Sequence, residues 1–166
     1  TCHRACPGAV LTGYDISPEL VAAASLNMLC TTGALGAEVR QRDTLRQPVD
    51  ARFDRILANP PFGSTDKRTD VRSADASTTI RGVGLDTNVK ELLFLQLFMA
   101  ALNPDGVCAT VVPDGVLFNL QFQYAAVRRR LVERFRVIEV ITLPGDLFLY
   151  TSTKTSVLVF AKPGPK

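Results

Sequence analysis

The chain has 166 residues, 46% of them apolar and 21% charged, with a formal net charge of +3. That is one domain's worth of sequence with an ordinary globular balance, so a packed core is expected, and the charge permits nucleic-acid binding without arguing for it. No apolar run approaches the ~20 residues of a membrane span, Thr1 to Gly8 lacks the apolar segment of a signal peptide, and Cys2, Cys6, Cys30 and Cys108 lack paired metal-site spacing. The expectation is a reduced, cytoplasmic protein with no metal centre and no membrane contact.

Ala9 to Asp15 reads as a strand. Ser17 then caps a helix, with Pro18 at its first position and Glu19 near the positive end of its dipole. This helix should run to about Thr32, where Gly33 ends it. Ala37 to Gln41 is a short strand. Phe53 to Ala58 is an apolar run carrying the β-branched Ile56, and it reads as a buried strand. Between Ser64 and Thr87 lies a long polar loop, with Lys67, Arg68, Arg72 and Arg81 set against Asp66, Asp70, Asp75 and Asp86. A stretch of this length is either a solvated surface loop or a segment that contacts substrate. Asn88-Val89-Lys90-Glu91 looks like a capping box with Asn as the N-cap, opening a helix to Leu102. That helix is apolar nearly all round, which predicts burial. Asn103-Pro104-Asp105-Gly106 stops it. Val107 to Val112 is a continuous apolar strand, and Phe122 to Arg134 is helical. Val137 to Leu143 and Thr155 to Ala161 are strands whose short connection favours antiparallel pairing. Cys30, in a helical pattern, and Cys108, in a strand pattern, read as small buried hydrophobes. Strands alternating with helices, followed by a strand pair, predict an α/β sheet with an antiparallel edge.

The stretch that carries most chemical information is Asn59-Pro60-Pro61-Phe62, placed at the end of the Phe53 to Ala58 strand. Two consecutive prolines fix φ and remove two backbone donors while leaving the carbonyls free. Asn59 adds a side-chain acceptor, and Phe62 adds a flat apolar face. Acceptors beside an aromatic face suit an exocyclic amino group on a flat ring, held by stacking, with its protons directed at the Asn59 side-chain oxygen and the Pro60 carbonyl. The alternative is a proline turn with Phe62 in the core. Ligands in open α/β sheets bind outside the carboxyl ends of the strands. Asp15, Asp43 and Asn59 all follow predicted strand ends, so one cleft could hold all three. Asp15 in that position is suited to ribose hydroxyls, as the acid of dinucleotide folds is, or else to capping the helix after it.

Four segments, taken in order, resemble the N6-adenine DNA methyltransferases, most closely the modification subunit of type I restriction–modification systems. They are Gly13-Tyr14-Asp15-Ile16-Ser17-Pro18-Glu19, Arg42-Asp43-Thr44-Leu45, Asn59 to Phe62, and Leu143-Pro144-Gly145-Asp146-Leu147-Phe148 with Thr151 to Phe160. Together they cover nearly the whole chain, and the ordered set is far more specific than any one member. The resemblance implies a Rossmann-like S-adenosylmethionine-dependent methyltransferase sheet and transfer of the cofactor's methyl group to N6 of an adenine flipped out of DNA. It implies that Asn59, Pro60, Pro61 and Phe62 form the catalytic loop. It also implies that Asp15, Ile16, Asp43 and Asn59 serve the cofactor. Asp43 would then accept from the cofactor's adenine amino group, or else be an exposed turn residue; Ile16 would pack on that adenine, or else in the core. DNA, a specificity subunit and other methyltransferase subunits are the implied partners.

The family's glycine-rich cofactor loop is not present. Only fourteen residues precede Asp15, with Gly8 the sole glycine among the first twelve, whereas the related dinucleotide fold places that motif ~20 residues before its acid. Residues 1–166 are therefore expected to be a partial methyltransferase catalytic domain whose central first strand is missing, inactive by itself. Two other readings compete. An Asn-Pro-Pro-aromatic loop suits any planar amino group, including a protein glutamine or an RNA base, and a truncated remnant could merely scaffold a complex.

Overall fold

The computed structural model describes residues 8–32, 37–47, 51–64, 87–145, 147–148 and 153–165. Cys2, His3, Cys6, Gly33, Asp146, Thr151 and nearly all of the polar 64–87 loop lie outside the described residues. The chain divides into two compact units, Thr1–Gln47 and Pro48–Lys166.

The first unit is a single βαβ crossover. Strand β1 (Leu11–Asp15), helix α1 (Pro18–Thr32) and strand β2 (Ala37–Gln41) follow one another. The strands pair in parallel from Leu11 opposite Ala37 to Asp15 opposite Gln41. Parallel neighbours require a crossover of this kind, because a tight turn cannot reverse the chain twice. Helix α1 begins where the sequence predicts. The Leu20 N–H donates to Ser17 Oγ at 3.2 Å, and the Ser17 hydroxyl donates to Glu19 Oε2 at 2.6 Å. Cys30 is exposed, not buried as expected. The reason is that α1 covers the sheet with only part of its surface. Among the described residues of this unit its other side is open, and Leu26 and Leu29 there are also at least half exposed.

The second unit holds the core. Strands β3 (Phe53–Ala58), β4 (Leu102–Pro113), β5 (Arg136–Thr142) and β6 (Thr155–Ala161) form one sheet in the order β3-β4-β6-β5. β3 and β4 are parallel, and β6 runs antiparallel to both β4 and β5. The final two strands pair antiparallel and close the sheet edge as expected, with β6 the inner strand. Helix α2 (Lys90–Ala101) is buried at ten of its twelve positions, matching its apolar circumference. Its Leu92, Leu95, Phe98 and Met99 meet Cys108 and Val112 of β4, Leu158 and Phe160 of β6, and Val127 and Leu131 of helix α4 (Phe122–Arg134). Phe135 contacts Phe160 edge-on, with ring centroids 5.6 Å apart, a favoured aromatic geometry. Burial pushes the Cys108 thiol up from its ordinary range, in keeping with a small core residue.

Four details differ from expectation. Leu102 begins β4 directly after α2 instead of closing the helix. Phe53 pairs with Leu102 and Arg55 with Val107, so Asn103 to Gly106 stand out of register. Asp105 adopts a φ of 60° there. β3 is only partly buried, with Leu57 66% exposed, because it is an edge strand among the described residues. The short helix α3 (Asp114–Phe118) was not anticipated. Finally, the N-cap of α2 is Val89 and not Asn88 as read from the sequence, and the Glu91 carboxylate reaches across to Gly63.

Candidate functional site

Ala58 closes β3 opposite Thr110 of β4, and the Asn59 to Phe62 loop leaves the sheet at that carboxyl end. Asn59 and Pro61 are exposed, Pro60 is buried and Phe62 is half-buried. Phe62 is not among the side chains packed on the hydrophobic core. The loop thus exposes an amide side chain at the strand end, three residues before a half-buried aromatic ring, with no backbone donor from either proline.

The far end of the loop is tied to the start of α2. Gly63, at φ 99°, turns the chain in a conformation that L side chains rarely adopt. Its N–H donates to Glu91 Oε2 at 2.9 Å, and its carbonyl accepts from the Lys90 N–H at 2.8 Å. Ser64 and Val89 add an antiparallel bridge. Glu91 is 7% exposed, and the Tyr124 hydroxyl donates to its Oε1 at 3.4 Å. Burial pushes the Tyr124 phenol up, and the Glu91 charge adds to that shift. Buried Thr87 braces the same corner: its Oγ1 accepts from the Val89 N–H and its hydroxyl donates to Gln123 Oε1, both at 3.2 Å. None of this bracing was legible as such in the sequence. The only signal was an acid at the third position of an apparent capping box.

β4 runs three residues beyond Thr110 to Pro113, so Asp114 lies at the same end of the sheet as Asn59. Its N–H donates to the Lys154 carbonyl at 2.9 Å, and the Ser156 hydroxyl donates to its Oδ1 at 3.5 Å. The signal for it in the sequence is Pro113-Asp114-Gly115 directly after an apolar strand. The Leu143 N–H donates to the Thr155 carbonyl at 2.9 Å and so closes the β5–β6 pair.

The other candidates belong to the first unit. Asp15 ends β1 and Asp43 follows β2, and the Arg42 N–H donates to the Asp15 carbonyl at 2.8 Å, which brings the two acids to one end of the parallel pair. Both are half-exposed, and both also support local backbone. Asp15 Oδ1 accepts from the Ser17 N–H at 2.8 Å. Asp43 Oδ1 accepts from the Leu45 N–H at 3.0 Å, and its Oδ2 pairs with Arg46 at 3.4 Å. Ile16 is 68% exposed, so it is not a core residue of this unit. A groove between α1 and the strands is lined by Tyr14, Asp15, Leu20 and Val39, among others. The Arg42 guanidinium lies 5.7 Å from the Tyr14 ring centroid. Asn59 is in the second unit, so the three candidates expected in one cleft are described in two separate bodies.

Comparison with known proteins agrees with this architecture. The methylase subunit of the type I restriction enzyme EcoEI from Escherichia coli is 34% identical over 149 residues, covering 84% of this chain and 29% of that protein. A chain of a solved type I R-M system superposes with a TM-score of 0.76 at 34% identity, over 93% of this chain and 31% of the other. The type I restriction–modification methyltransferase subunit from Streptococcus thermophilus gives a TM-score of 0.75 at 27% identity, over 91% and 33%. The chain thus spans about a third of the length of these relatives. Its sheet has the Rossmann-like plan of class I S-adenosylmethionine-dependent methyltransferases, one of which superposes with a TM-score of 0.68. The family model for N-6 DNA methylases matches residues 5–166, nearly the whole chain, and with the Asn-Pro-Pro-Phe loop at the end of β3 this shows that the chain belongs to that family.

Proposed function

We propose that the full-length protein transfers a methyl group from S-adenosylmethionine to N6 of an adenine flipped out of DNA. In this reading residues 1–166 are part of its catalytic domain, and it works in a type I restriction–modification complex with specificity and other methyltransferase subunits, in the cytoplasm. The observation that carries the reading is the exposed Asn59 at a strand end, followed by two donor-free prolines and a half-buried Phe62 outside the core. The family relationship and the methylase subunits similar to this chain support adenine in DNA over other planar amino groups.

Adenine N6 is a weak nucleophile because its lone pair is delocalised into the ring. The Asn59 side-chain oxygen and the Pro60 carbonyl accept hydrogen bonds from its two N–H groups. That favours a pyramidal nitrogen with a localised pair, which is preorganised electrostatic stabilisation and not abstraction by a strong base. Phe62 stacks on the base once it has left the duplex. The residues present also suit the cofactor. Half-exposed Asp15 at the end of β1 can accept from ribose hydroxyls, exposed Ile16 beside it offers an apolar contact, and Asp43 can accept from an adenine amino group. The cofactor supplies an activated methyl, so positioning does most of the remaining work.

The test uses the full-length protein with its partner subunits and radiolabelled S-adenosylmethionine, offering adenine-containing DNA, RNA and a glutamine-bearing peptide in parallel. Transfer to adenine N6 in DNA alone is expected. Asn59→Ala should slow single-turnover transfer by about 100-fold or more, the cost of losing one preorganised partner of the reacting group, with cofactor affinity within a few fold. Transfer to RNA or peptide in preference to DNA, or an Asn59→Ala rate equal to wild type, would refute the reading.

A further inference from the structure

We infer that Glu91 is a positioning residue for methyl transfer: its buried carboxylate holds the Gly63 N–H and thereby sets the backbone of the Asn59 to Phe62 loop. The inference rests on the methyl-transfer reading above and adds the residue that orients its catalytic loop.

Three observations carry it. First, Pro60 and Pro61 have no N–H, so the middle of the loop cannot be anchored through backbone donors. Gly63 is the hinge directly after Phe62, and both its N–H and its carbonyl are taken by the first turn of α2. Two bonds on one residue define a direction as well as a location. Second, Glu91 is set in a buried helix whose other buried residues, apart from Gln96, are apolar, where a carboxylate is costly unless it is bonded. One oxygen is bonded to the loop and the other to Tyr124. The positive end of the α2 dipole favours a negative charge at this position. Third, the contact is long-range: the Glu91 carboxylate reaches beyond its own helix and bridges two segments 28 residues apart.

Two conservative variants separate reach from charge. Glu91→Gln keeps an oxygen at the same distance and loses the charge. Glu91→Asp keeps the charge and withdraws the oxygen by one methylene. In the full-length enzyme with its subunits, Glu91→Gln should transfer within a few fold of wild type. Glu91→Asp should fall by about 100-fold, as a loop misplaced by roughly 1 Å would, with its cofactor affinity unchanged. Amide hydrogen exchange provides a readout independent of activity: Gly63 should exchange about ten times faster in Glu91→Asp than in wild type or Glu91→Gln. Asp equal to or better than Gln in rate, or Gly63 protection unchanged by Asp, overturns the inference. If the wild type methylates adenine and depends on Asn59 while Glu91→Asp matches it, only the positioning role fails. If the wild type methylates no DNA adenine, the functional reading fails and the exchange experiment still decides whether Glu91 holds the loop.

Discussion

Asn59, Phe62 and Asp15 illustrate how a single residue is read in two ways until its surroundings are known. An Asn before two prolines is equally a turn former and an amide presented to a ligand; its exposure at the end of β3 supports the second. Phe62 could have been a core residue, but it lies outside the side chains packed around Leu92 and Phe160. Phe62→Ala should therefore weaken the hold on a flipped adenine by about 1–3 kcal/mol, the usual range for base–aromatic stacking. Phe62→Tyr and Phe62→Trp should keep most of it. Fluorescence of 2-aminopurine at the target position measures this, and an alanine variant with the wild-type signal would return Phe62 to a purely structural role. For Asp15 the local role is the visible one, its Oδ1 accepting from the Ser17 N–H; contact with a ribose belongs to the proposed function.

At the scale of elements, the passage from α2 into β4 is irregular and closely packed. Asn103 to Gly106 are looped out of register, and the Asp105 N–H and Gly106 carbonyl are held by Lys162 at 3.0 and 2.9 Å. A Cβ on Gly106 would lie 2.8 Å from the Asn103 carbonyl oxygen and 3.0 Å from that of Phe53. Both are backbone atoms and neither can rotate away. Gly106→Ala should cost about 1–3 kcal/mol, as overpacking a close contact does, read as a lower thermal midpoint. Gly115→Ala, with nothing within 4 Å of its Cβ, is the matched control and should be close to neutral. An equal shift for the two variants would mean that Gly106 is not sterically required.

For the molecule as a whole, open strand edges dominate the expected behaviour. β1 and β3 each have one hydrogen-bonded neighbour among the described strands. β5 is exposed along its whole length, and Val10, Leu57, Leu120 and Phe122 are 86%, 66%, 90% and 81% exposed. Unpaired edges beside apolar side chains template association with other chains. Residues 1–166 expressed alone should therefore self-associate, with a sedimentation profile that shifts with concentration and a broad thermal transition. Co-expression with the rest of the full-length protein should sharpen it. A monomer with a single sharp transition would show that these edges are harmless.

Local patterns in the sequence were enough for most of the elements and their kind, the short helix α3 excepted. β2, β3, α4 and β6 fall on the segments expected, and α1 starts at its Ser17 cap, because periodicity, proline placement and capping chemistry act over a few residues. The placement of the Asn59 to Phe62 loop just past β3 was legible for the same reason: an apolar run followed by two prolines is a local signal. What the sequence could not yield depended on segments far apart in the chain. The turn from α2 straight into a kinked β4, the exposed Cys30 and the hold of Glu91 on Gly63 are all decided by which elements meet. Burial and hydrogen-bond satisfaction are properties of that tertiary arrangement, so a carboxylate that reads locally as a helix cap became, in the fold, a bridge to the candidate catalytic loop.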